Sequence, residues 1–162
     1  MSTTIFAAVA GLAIVADDTS LLGAVTDPGG GRSTVVTHRL IDELRRGTRE
    51  AVLSNVVQEE LERAPAEIQR AILDEVSEIE FELVTEDAES IRFFAEYEAA
   101  RIVPRRYRND LRHVAVATIG RVDAPVSWNF RHLVNLRTRR EVQAVNLRRG
   151  YPLIEIVSPE EV

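Results

Sequence analysis

The chain has 162 residues, 45% of them hydrophobic and 28% charged, with a formal net charge of −6 and no cysteine. That length suits one domain able to bury a core without covalent staples, and the missing cysteines exclude disulfides, thiolate metal sites and thiol catalysis. All 20 cationic residues are arginine, which excludes lysine Schiff bases, a P-loop lysine and the late lysine of a phosphoacceptor receiver domain.

In chain order, the apolar run from Ile5 to Ala16 has the length of a signal-peptide core. It lacks a basic leading segment and enters Asp17-Asp18-Thr19-Ser20 directly, and it is too short to cross a bilayer. The chain therefore reads as cytoplasmic and non-membrane, with residues 1–11 a loose extension and Leu12–Ala16 a first buried strand. Pro28-Gly29-Gly30-Gly31 is a loop, and Ser33 or Thr34 caps a helix running to Arg46 and closed by Gly47. Ala51–Leu53 is a second strand. Ser54 or Asn55 caps a helix through Val56, Val57 and Leu61, broken at Ala64-Pro65.

Ile68, Ile72 and Val76 fall at helical spacing and predict a helix from Pro65 to about Ser77. Glu80–Val84 alternates as a third strand, and Thr85 caps a helix to about Ala100. Ile102–Arg108 is a loop, and Asn109-Asp110 opens a helix that Gly120 stops. Ala124–Trp128 is a fourth strand, Thr138–Leu147 a helix ended by Gly150, and Leu153–Val157 a fifth strand. The expectation is one α/β domain over residues 1–162: three layers, with a mostly parallel five-stranded sheet flanked by helices.

Charge is distributed unevenly. Residues 1–100 hold 8 arginines against 20 acids, whereas residues 101–150 hold 12 arginines against 3 acids. The second segment can attract a polyanion although the chain as a whole is acidic. Its plainer reading is a solvated arginine-rich surface.

Ligand sites in open parallel sheets lie outside the carboxyl ends of the strands. Four oxygen-bearing residues fall there: Asp18 after strand one, Glu60 after strand two, Asp110 on the helix before strand four, and Asn129 just after strand four. Singly, each reads equally well as a surface acid or helix-terminal residue. Together they form a hard oxygen donor set, which selects Mg²⁺ or Mn²⁺ over Zn²⁺ and suits phosphodiester chemistry. Glu59 points about 100° away from Glu60 on a helix and reads as solvated. For His113, one turn from Asp110, a structural role is the plainer reading. Neither Gly-Lys-Ser/Thr nor Gly-x-Gly-x-x-Gly occurs, which removes the nucleotide-binding alternatives.

These segments resemble the VapC-like branch of the PIN-domain family. The resemblance is carried by Ala16-Asp17-Asp18-Thr19-Ser20, Ser54-Asn55-Val56-Val57-Gln58-Glu59-Glu60-Leu61, Asn109-Asp110-Leu111-Arg112-His113-Val114-Ala115, Val126-Ser127-Trp128-Asn129-Phe130-Arg131-His132, and the tail from Asn146 to Ile156. It implies a Mg²⁺- or Mn²⁺-dependent endoribonuclease, with Asp18, Glu60 and Asp110 as metal ligands and Ser20 in support. It also implies a toxin of a type II toxin–antitoxin pair, with an antitoxin protein and a second copy of the chain as partners. The family commonly has a fourth acid where this chain has Asn129, an amide that offers an oxygen but no charge. Arg105, Arg106 and Arg108, leading into Asp110, are the expected RNA-backbone contacts. The other reading, favoured by Asn129, is a PIN-like module that binds RNA or protein with little or no cutting.

Overall fold

In the computed structural model the described residues are 11–14, 24 and 29–162. Among them six α-helices surround four short strands. The strands are β1 (Gly11–Ile14), β2 (Glu50–Ser54), β3 (Phe81–Val84) and β4 (Ala124–Val126). The helices are α1 (Arg32–Arg45), α2 (Asn55–Arg63), α3 (Ala66–Val76), α4 (Ala88–Ala100), α5 (Arg108–Ile119) and α6 (Leu136–Arg149). A 3₁₀ turn, Arg105–Tyr107, leads into α5. None of these helices is long and apolar enough to cross a membrane.

The sheet order is β3-β2-β1-β4 and every pairing is parallel, with Leu12 opposite both Ala51 and Ala124. Alternation along β2 separates the two faces. Val52 joins Phe93, Tyr97, Leu111, Val114 and Val142 from α4, α5 and α6, whereas Ala51 joins Leu40, Ile41 and Leu44 of α1. Val57 and Ile72 hold α2 and α3 together over Leu53. Parallel strands buried on both faces need continuous apolar character, which β2 and β4 supply. Gly120 ends α5 where space is short, since a Cβ there would lie 2.7 Å from Val84 Cγ1.

The expected five-stranded sheet is not what forms. The described sheet has four strands in a helix-rich α/β chain, and the segment proposed as a fifth strand makes one isolated bridge, Val126 to Val157. Pro125 supplies the reason. Val157 N donates to Pro125 O (3.0 Å) and Ser127 N to Val157 O (2.9 Å), and Glu155 N reaches Asp123 O at 3.4 Å. The next rung of a parallel ladder would need Pro125 to donate to the Glu155 carbonyl, and proline has no N–H. The tail is held by side chains instead: Gln143 exchanges hydrogen bonds with the Ile154 backbone (2.7 and 3.3 Å), and Ile154 and Ile156 are buried.

Helix ends also differ from the expected caps. α1 starts at Arg32 after Gly31, with Ser33 already inside the helix. Asp87 rather than Thr85 caps α4, forming a reciprocal capping box with Ser90. Asn135 caps α6 by accepting from Thr138 N, two residues earlier than the expected start. α5 has no side-chain cap, because the 3₁₀ turn feeds directly into it and Asp110 falls in its first turn rather than before it.

Two features of this packing carry predictions. The Tyr97 hydroxyl, fully buried, donates to Asn146 Oδ1 (2.6 Å) and lies 3.3 Å from Thr118 Oγ1, tying α4, α5 and α6. Burial pushes the phenol well above its ordinary range. Tyr97→Phe leaves the Asn146 oxygen short of a donor and should cost about 1–3 kcal/mol, read as a lower urea midpoint with unchanged slope.

At the other end, Glu161 accepts from Arg139 Nη1 and Nη2 (3.0 and 2.7 Å) and from Ser158 N (2.7 Å). These bonds, those from Arg139 foremost, hold its carboxyl down at about 2. A depressed carboxylate stabilises the fold above its ordinary value of 4.5, and that contribution is lost as pH falls toward 2. Glu161→Gln should therefore lower Tm at neutral pH, and the gap from wild type should close across that window. A gap independent of pH would show that the tail is held without this charge.

Candidate functional site

Because all four strands are parallel, their carboxyl ends at Ile14, Ser54, Val84 and Val126 lie at one edge of the sheet. Asp110 lies at this edge, only 5% exposed, in the first turn of α5. Burial of a carboxylate is costly unless donors and dipoles offset it. Here the N-terminal turn of α5 contributes its dipole, and Asn129 Nδ2 donates to Asp110 Oδ2 at 3.0 Å.

Asn129 is itself tightly placed. Its backbone N–H donates to Ser127 Oγ (3.0 Å), and its Oδ1 accepts from His132 N (2.9 Å). That second bond requires the amide oxygen to face the loop and its NH₂ to face Asp110. The two loops are joined again by the Tyr107 and His132 rings, stacked with centroids 3.6 Å apart.

Glu60 approaches from α2. Its Oε1 lies 3.1 Å from Nε2 of His113, which is one helical turn from Asp110 on the same face of α5. The neighbouring pair repeats the contact. Arg112 grips Glu86 with two bonds (2.6 and 2.7 Å) and reaches Glu59 at 3.1 Å, so adjacent acids of α2 meet adjacent bases of α5. Hydrogen bonds from Arg112 hold Glu59 below the usual carboxylate range, and those it donates to Glu86 raise the guanidinium further. Asn55 completes the join: Glu86 N donates to its Oδ1 (2.7 Å), and its Nδ2 donates to Glu59. Glu59 is thus a structural anchor rather than a solvated acid.

No family model, curated protein or solved structure matches the chain.

The structure therefore links Asp110 to Asn129 directly and sets Glu60 against His113 one turn away. Asp18 and Ser20 lie outside the described residues. Among those described, no group of three or more His, Asp or Glu is arranged to hold a metal ion. One detail nonetheless fits a cation: Glu60 Oε2 is buried and has no hydrogen-bond donor. A shielded carboxylate oxygen without a donor is costly, and a hard divalent ion satisfies such an oxygen well.

Arg105 and Arg106 are exposed, the latter with its guanidinium 4.8 Å from the Tyr107 ring centroid, while Arg108 pairs with Glu98 at 3.3 Å. The roles of Arg112 and Tyr107 were not legible in the sequence, where His113 reads as structural. Only His113 had a local signal, its i+3 spacing from Asp110. The others depend on partners far away in the chain.

Proposed function

We propose that this chain is a Mg²⁺- or Mn²⁺-dependent ribonuclease, in keeping with its resemblance to PIN-domain proteins, and acts as a toxin neutralised by a partner antitoxin. The observation that carries the reading is a pair of shielded carboxylates, Asp110 and Glu60, meeting one face of α5 at the carboxyl edge of the sheet, with one Glu60 oxygen that receives no hydrogen bond among the described residues. Such oxygens suit a hard divalent cation.

Asp110 and Glu60 would hold the ion, together with Asp18 from the segment after β1. The ion would supply the positive charge that makes a water nucleophilic at neutral pH and offsets charge on the phosphodiester. The chain's own groups do the placing. His113 fixes the Glu60 carboxylate through Oε1, leaving Oε2 for the cation. Asn129 fixes Asp110 through Oδ2. The exposed arginines before α5 draw the RNA backbone toward this edge.

The test is incubation of the purified chain with a random-sequence RNA pool in Mn²⁺ or in EDTA, beside a thermal-shift titration with Mn²⁺. Cleavage confined to Mn²⁺, with stabilisation by the ion, is the expected result. Neither cleavage nor a shift sinks the proposal.

A second reading, an RNA- or protein-binding module without catalysis, is favoured by the Asn129 amide, whose two ends are both engaged within the protein. It predicts RNA binding with no Mn²⁺-dependent cleavage.

A further inference from the structure

Phe130 exposes 51% of its surface, yet the loop that carries it is closely fastened. Leu133 N and Val134 N both donate to Asn129 O (3.0 and 2.8 Å), Asn135 Nδ2 donates to Arg131 O (3.2 Å), and Leu133 and Val134 are buried. Phe130 N is fixed too, donating to Trp128 O at 2.9 Å. The turn is therefore fastened along its backbone, and the ring, tilted against Trp128 with centroids 6.1 Å apart, leaves about half its surface open.

Its loop and the loop stacked against it both carry exposed arginines. Of the arginines in residues 101–150, Arg108, Arg112, Arg137, Arg139 and Arg149 are committed to ion pairs. Among the described residues the other seven arginines of this segment are exposed and have no ion pair, and three of them, Arg131 next to Phe130 in sequence and Arg105 and Arg106 before α5, lie on the loops at this edge. The Tyr107–His132 stack brings these two arginine-bearing loops side by side, on either flank of the Asp110–Asn129 hydrogen bond. A half-exposed aromatic ring on a fastened loop, with guanidinium groups free of carboxylate partners on its own loop and on the adjoining one, matches what an unpaired strand requires: a platform for a base, with cations for the phosphates on each side. A duplex, whose bases are already stacked, gains nothing from the ring.

We propose that Phe130 is a base-stacking residue and Arg131 a phosphate-binding residue for single-stranded RNA entering this edge. The assignment rests on the ribonuclease reading. Binding is measured by fluorescence anisotropy of a labelled single-stranded RNA in Mn²⁺, in the Asp110→Asn background so that bound RNA is not cut. Inorganic polyphosphate, which has charge but no bases, serves as competitor.

Phe130→Leu should weaken RNA binding roughly tenfold while leaving polyphosphate competition unchanged, and Phe130→Trp should retain binding. Arg131→Gln should weaken both ligands and lower the salt dependence by about one phosphate contact. RNA binding by Phe130→Leu equal to that of the parent overturns the stacking role. Equal loss of RNA and polyphosphate binding also overturns it, because the ring would then only shape the loop. Cleavage of RNA by the wild-type chain is scored separately. If the wild type cuts RNA in Mn²⁺ and Phe130→Leu has no effect on binding, this assignment alone fails. If the wild type neither binds nor cuts, the ribonuclease reading falls with it.

Discussion

Asp110→Asn is expected to reduce Mn²⁺-dependent RNA cleavage by about a hundredfold or more, because it removes a negative charge from the proposed cation site. The fold should survive intact. The asparagine oxygen can still accept from Asn129 Nδ2, which lies 3.0 Å from the carboxylate oxygen it would replace. Asp110 lies inside the first turn of α5 and not at its N-cap position, which Tyr107 occupies. In the absence of metal the variant should be at least as stable as wild type, since a neutral amide is cheaper to bury than an ionised carboxylate. Cleavage rate and Tm measured on the same preparation separate the two effects. A folded variant that keeps most of its cleavage removes Asp110 from the reactive site, whatever its burial suggests.

Asn129→Asp is expected to act in the opposite sense on metal and stability. The substitution exchanges the NH₂ that donates to Asp110 for a second carboxylate at the same distance, while the oxygen that accepts from His132 N is kept. Two facing carboxylates repel, and Asp110 loses the donor that Asn129 supplied, so the metal-free protein should be weaker by about 2 kcal/mol, roughly 4–8 °C in Tm for a chain of this size. Mn²⁺ should restore the loss, since the added charge favours a cation and binding to the folded state raises its stability. Calorimetric titration should show tighter Mn²⁺ binding than in wild type. If Tm and affinity both stay unchanged, Asn129 does not border the ion, and its role is confined to fixing the loop from Ser127 to Asn135. If Tm falls but Mn²⁺ restores nothing, the site takes no metal and the non-catalytic reading gains.

What was legible in the chain was what depends on near neighbours. The spacing of Ile68, Ile72 and Val76 announced α3, and the apolar run at Ala51–Leu53 announced β2, because burial periodicity is a local property. Strand–helix alternation implied parallel pairing, and parallel pairing sends the segments bearing Glu60 and Asn129 to one edge.

What the tertiary structure alone decided were choices between distant partners. Whether Leu153–Val157 became a strand depended on the residue opposite it, and Pro125 had no N–H to offer. Asn129 was legible as an oxygen donor, yet its amide is oriented by the His132 N–H and the Asp110 carboxylate, one of them 19 residues away. Glu60 meeting His113, and Glu59 meeting Arg112, are pairings across 53 residues fixed by the register of α2 against α5. Local spacing states which face a side chain occupies. Which polar group it meets there depends on packing, because a buried donor or acceptor binds whatever partner the fold brings within 3 Å or so.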